Sequence, residues 1–196
     1  DAVAVSGWAA HPSWDMSAFD GFEGGLGQVY DLALMFLEEE VLDVVPAWLP
    51  SEAEAEGIVE GLAVDIVGYG QQTVTAGPMD PPPPGTVAIK VWGESFLNEV
   101  GDFEVQVGDG TDTTRKCHGD SGGPTFADLG AGGDPQRVIG VTSHAYDNRD
   151  CNVGGIDTRV DPYLAWIDEA MRAACEDGIR TACDPAGILV PGAAEG

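Results

Sequence analysis

This chain has to fold from short pieces. Its apolar residues fall in seven brief runs, Ala2 to Ala10, Tyr30 to Leu37, Gly61 to Val67, Thr86 to Trp92, Phe103 to Val107, Val138 to Thr142 and Gly155 to Val160, each bounded by Gly, Pro or acids. Runs of that length with partial alternation are strand signals. The 28 glycines and 13 prolines scattered between them favour turns over helix interiors. One stretch has the helical period. It opens at Asp161-Pro162, an N-cap and a first-turn proline, and puts Tyr163, Trp166, Ile167, Ala170, Met171 and Ala174 on one stripe. The tetraproline Pro81 to Pro84 cannot join a ladder and predicts an exposed extended loop. Residues 184–196, after Cys183, have little to pack with and read as a tail or linker. With 196 residues and 43% apolar content the chain can bury one sizeable core, and no apolar run reaches membrane-spanning length.

The charge balance excludes some partners. There are 34 acids against 8 bases, a formal net charge of −26, and no Lys or Arg before Lys90. Phosphate binding needs clustered cations, so nucleic acid is not expected as a partner, and an anionic membrane surface would repel the chain. Glu38 to Glu40 and Glu52 to Glu60 read as solvated faces. Cys117, Cys151, Cys175 and Cys183 lack the spacing and nearby histidines of a zinc site, and no D-x-D-x-D-G run offers calcium ligands, so no metal is expected. Disulfides are the better reading, with three pairings open in principle. An even cysteine count in a β-patterned chain points to an oxidising, secreted or extracellular setting. The sequence opens at Asp1 with no initiator Met and no signal peptide, so its start is expected elsewhere.

The chemistry concentrates in CHGDSGGP, Cys117 to Pro124, where Ser121 lies among glycines that allow a tight turn and a close approach to substrate. A nucleophile elbow, G-x-S-x-G, does not fit, because Gly119 stands at the wrong offset. The stretch resembles the trypsin-like serine proteases residue by residue. Further matches are YDLALMFL (30–37), HPSWD (11–15), GYG (68–70) as a turn entering the second barrel, VIGVTSHAY (138–146) as the strand lining the substrate cleft, and DPYLAWI (161–167) as the closing helix. The resemblance implies an all-β fold of two antiparallel six-stranded β-barrels with a C-terminal α-helix. The domain would cover 1–183, with 1–50 the remainder of an incomplete first barrel, 51–160 the second barrel and 161–175 the helix.

It also implies roles. Ser121 is the nucleophile, the N–H groups of Gly119 and Ser121 form the oxyanion hole, and Asp31 is the triad carboxylate 90 residues upstream. Taken alone, Asp31 reads equally as an ordinary turn residue before a strand. Asp120 corresponds to the residue that meets a new amino terminus after activation, which implies an activating protease. Ser143, His144 and Ala145 fall on the cleft strand and Arg115 at the floor of the specificity pocket, which Gly154, Gly155 and Ala145 would leave roomy. Arg115 with Lys116 either favours acidic substrate side chains or points to solvent, balancing Asp109 and Asp112; both readings stay open. The implied bridge is Cys117–Cys151, with Cys175–Cys183 as its local companion, and no cofactor is implied.

One element is missing from the pattern. The triad histidine should precede Asp31 by several strands, and only thirty residues do. His11, His118 and His144 each sit at the wrong place in the resemblance. Serine needs an adjacent base, so this stretch alone is expected to be nearly inactive, N-terminally truncated and prone to aggregate through open strand edges. The function implied is a serine endopeptidase acting on protein or peptide substrates through an acyl-enzyme. The alternatives are a protease-fold binding module without catalysis and, less compatible with the motif, an α/β-hydrolase esterase.

Overall fold

A two-stranded sheet leads into a closed barrel in the computed structural model, which describes residues 3–19, 24–42, 44–72, 85–110, 113–130, 136–147, 151–180 and 183. The tetraproline and the 184–196 tail lie outside the described residues. Strand β1 (Val5–Ala10) pairs antiparallel with β2 (Ala33–Leu37), with Trp8 opposite Met35. Alternation along β2 buries Phe36 and leaves Met35 74% exposed beside Trp8 at 70%. The short helix α1 (Glu52–Ala55) precedes the barrel. The barrel strands are β3 (Ala63–Gly68), β4 (Val91–Val100), β5 (Glu104–Val107), β6 (Pro124–Ala127), β7 (Arg137–Ala145) and β8 (Gly155–Arg159). They close in the order β3-β4-β5-β8-β7-β6, with β6 returning to β3. Closure leaves this sheet no unpaired edge.

Val64, Ile66, Leu97, Val105, Val107, Ala127 and Ile139 fill the barrel. A second core lies against the two-stranded sheet, where helix α2 (Leu164–Glu176) sets Ile167, Met171 and Ala174 on Leu32 and Phe36. Full burial of a side chain of that size is worth about 1.5–3 kcal/mol, so the helix stripe is what closes this sheet's inner face. Gly7 allows the chain to return after the helix, because a Cβ there would stand 2.5 Å from the Ile179 methyl. The all-β architecture expected from the sequence is therefore present as one closed six-stranded barrel, a second smaller sheet and a C-terminal helix. Among the described residues no helix is long and apolar enough to cross a membrane. The bridges Cys117–Cys151 and Cys175–Cys183 are both formed.

Several local expectations are corrected. The run Thr86 to Trp92 is mostly not strand: Ala88 takes a left-handed φ of 59° while its N–H donates to Tyr69, and β4 starts only at Val91. Strand β6 went unread because it opens on Pro124, a residue tolerated only at a strand's first position or edge. Glu52 to Glu60 is not simply a solvated face. Ser51 and Glu54 form a reciprocal capping box for α1, and Glu54 also pairs with the buried Arg137 at 2.6 Å. Asp161 does not cap the C-terminal helix; its carboxylate takes Arg159 instead, and a 3-10 turn, Asp161–Tyr163, leads into α2. GYG starts at the last residue of β3, Gly68, so it leaves the first barrel strand and does not lead into the barrel.

Leu97→Ala, at a fully buried barrel position, is expected to lower unfolding free energy by about 2–5 kcal/mol. Met35→Ala, on the outer face, should stay within about 0.5 kcal/mol. Denaturant midpoints of the two variants check this contrast.

Candidate active site

The turn that carries Ser121 is suspended from a buried carboxylate. Asp120 Oδ1 accepts the Gly70 N–H at 2.8 Å and its Oδ2 accepts the Cys117 N–H at 2.9 Å. Here the residue expected to meet a chain terminus is held by backbone amides. GYG is needed for that approach, since a Cβ on Gly68 or Gly70 would collide with the Asp120 carboxylate. Around it, Asp120 N–H donates to Cys117, Gly123 N–H to Asp120 and Gly122 N–H to Thr142, at 2.8–3.0 Å. Gly119 adopts φ 94°, where a side chain would be strained. Three groups are left over. The amides of Gly119 and Ser121 and the Ser121 hydroxyl carry no hydrogen bond among the described residues, and Ser121 is exposed. Two convergent donors beside a hydroxyl can stabilise an oxyanion next to a nucleophile.

Asp31 reaches the same neighbourhood from the other sheet. It sits in a three-residue turn in which Leu32 N–H donates to the Tyr30 carbonyl at 2.8 Å, after Tyr30 at φ 55°. The β7–β8 register slips between Thr142 and His144, so Ser143 is the bulged residue and its side chain is re-aimed. Its hydroxyl donates to Asp31 Oδ2 at 2.7 Å, while Ser143 also lines the cavity under Ser121. Ser143 thus bonds Asp31 and lines the cavity that Ser121 also lines. His144 Nδ1 lies 3.0 Å from that hydroxyl. Burial holds the His144 imidazole below its ordinary range, against the opposing pull of Asp31 and Asp157. His11 stacks on Tyr30 at 4.9 Å and touches Tyr163 and Trp166, with burial lowering its pKa as well, and His118 is exposed.

The cavity beside Ser121 is small, about 80 Å³, with walls that include Ala145, Gly154, Gly155 and the Cys117–Cys151 bridge. Lys116 forms part of its lining, and Arg115 does not. The Arg115 guanidinium donates to the Gly110 carbonyl and to Asn152 Oδ1, and it lines a neighbouring cavity of about 320 Å³. Lys116 Nζ pairs with Asp157 Oδ2 at 2.8 Å with both side chains essentially inaccessible, and it lies 3.3 Å from the Gly123 carbonyl. Thr125 Oγ1 donates to the same Asp157 oxygen at 2.5 Å. The sequence reading missed the Lys116–Asp157 pair as an element of the site. The available signal was an acid inside the apolar run 155–160. Cys117, His118 and Cys151 bring ligand-type atoms within 4.8 Å of one another, but both sulfurs are oxidised to a disulfide and offer no thiolate to a metal.

Comparison with known proteins places this geometry. A sequence model of the family described as Trypsin matches residues 2–167. A curated relative, glucanase inhibitor protein 3 of Phytophthora infestans, is 31% identical over 144 residues, covering 71% of this chain and 53% of its own length. The chain thus spans about half the length of the curated relative it matches.

Asp157→Asn leaves the Lys116 ammonium buried without its counter-charge and should cost about 3–5 kcal/mol. Pairing it with Lys116→Met should recover most of that loss in equilibrium unfolding. Because the folded-state pKa of His144 is lowered, the unfolded chain binds its proton first as pH falls. Stability should therefore decline as pH drops below about 6.5 towards the folded value. An NMR titration of the imidazole is expected to give a midpoint under that of a free histidine.

Proposed function

The chain belongs to the trypsin family, and from that premise we propose that it carries the nucleophile and oxyanion half of a serine endopeptidase. Ser121 attacks the scissile carbonyl, and the negative charge that develops on its oxygen is held by the Gly119 and Ser121 amides. Two such donors lower a barrier by roughly 3 kcal/mol or more. The base takes the Ser121 proton and passes it to the amine as the C–N bond breaks; water then attacks the acyl-enzyme, losing a proton to the same base, and the acid leaves as that proton returns to Ser121. The observation that carries this reading is the turn itself: both amides and the hydroxyl are open while every other amide from 120 to 123 is used.

Asp31 orients the base, and Ser143 holds its carboxylate in place. The base that this reading requires is an imidazole within reach of both Asp31 and Ser121. Substrates are proteins or peptides, and the two disulfides support action in an oxidising, extracellular setting.

A second reading has its own support. The relative named a glucanase inhibitor, together with a Ser121 hydroxyl that no side chain activates among the described residues, favours a protease-fold module that binds a partner protein without cutting it.

The two readings diverge on one measurement. The full natural protein containing this chain is treated with a fluorophosphonate probe and assayed on a casein substrate. Covalent labelling mapped to Ser121, with turnover lowered about 10⁴-fold or more by Ser121→Ala, is expected of the peptidase. A folded full-length protein that neither labels nor turns over overturns it in favour of the binding module.

A further inference from the structure

Resting on the hydrolytic reading above, we propose that Lys116 determines specificity. Its aliphatic stem, locked by Asp157, closes the cavity beside Ser121, so the site accepts only a small uncharged side chain on the acyl side of the scissile bond.

Size excludes rings. The cavity of about 80 Å³ is roughly half the ~150 Å³ in which an engineered apolar cavity holds benzene. On one side Gly154, Gly155 and Ala145 bring almost no side-chain bulk; His118, His144 and the Cys117–Cys151 bridge bound the rest with Lys116. The aliphatic stem of Lys116 takes part of that space: it lines the cavity opposite Gly155, where an added Cβ would meet the lysine Cβ at an ordinary contact distance of 3.5 Å. Lys116, Cys117 and Cys151 line both this cavity and the neighbouring one of about 320 Å³. The lysine and the disulfide are therefore the partition between two spaces. Removing the stem would join them.

Charge excludes ions. A basic substrate side chain would seek Asp157, which is fully buried and whose charge Lys116 already offsets at Oδ2, beside Thr125, while its Oδ1 has no hydrogen-bond partner among the described residues. An acidic one would seek the Lys116 ammonium, which is 2% exposed and turned inward to Asp157 and the Gly123 carbonyl, so the cavity meets methylenes. Arg115 offers no alternative cation, because its guanidinium is held by Gly110 and Asn152 outside this cavity. An acid would have to break the buried Lys116–Asp157 pair before it could bind, and a base would have to reach a buried carboxylate whose charge Lys116 already offsets.

The test needs no catalysis, so its outcome is separable from that of the hydrolytic reading, which fluorophosphonate labelling reports on the same sample. Indole and benzamidine are titrated into the isotopically labelled protein while the amides of Ala145, Gly154 and Gly155 are followed. The natural sequence is expected to show no saturable shift with either ligand. Lys116→Ala combined with Asp157→Ala, which removes both charges together, should bind indole at least about 10-fold more tightly. Saturable indole or benzamidine binding at those amides in the natural protein overturns the proposal, and that arm stands even if the double variant does not fold. A folded double variant that still excludes indole overturns Lys116 as the closing group.

Discussion

The ion pair between Lys116 and Asp157 joins three pieces of chain, two of which, β6 and β8, are not neighbours in the barrel. Asp157 belongs to β8, Thr125 on the same carboxylate oxygen belongs to β6, and Lys116 belongs to the segment running into the Ser121 turn. The Lys116 ammonium also touches the Gly123 carbonyl, which accepts the amide and hydroxyl of Thr142 from β7. A charge pair this deep is tolerable only because its members satisfy one another, since either ion alone would carry a desolvation penalty of several kcal/mol. The geometry of the turn is therefore coupled to barrel closure. Asp120 supplies the complementary tether on the other side, through the amides of Gly70 and Cys117.

The distribution of cations follows the same logic. In a chain with 34 acids and 8 bases, cations scattered over the surface would be surrounded by excess carboxylate. The structure instead places Lys116, Arg137 and Arg159 inside or nearly so, each on one acid: Asp157, Glu54 and Asp161. Lys and Arg are almost never fully buried without such a partner. The pairs also have architectural roles: Arg137 ties β7 to the capping box of α1, and Arg159 ties the end of β8 to the turn leading into α2. The exposed acids are left to repel one another and to favour hydration.

Much of this was legible in the residues, for local reasons. The helix stripe Tyr163, Ile167, Met171 and Ala174 is buried as its spacing required, and the apolar run 30–37 does hold a strand, β2. The capping box at Ser51 and Glu54 was equally local, yet its surroundings read simply as acidic. Other features were not local. Strand β6 is stabilised by β3 and β7 on either side and not by its own composition. The irregular stretch at Ala88 depends on the Tyr69 carbonyl, 19 residues away.

Sequence alone determined the chemistry available to this protein: a serine among glycines at 119–123, an aspartate leading an apolar strand, four cysteines, and a charge balance that turns phosphate away. Tertiary structure decided which of two adjacent residues, Arg115 or Lys116, lines the cavity beside Ser121. Which one does so is set by the pairing of Cys117 with Cys151 and by the position of Asp157 on β8. Those partners lie 34 and 41 residues away along the chain, a separation over which no local pattern carries information about direction.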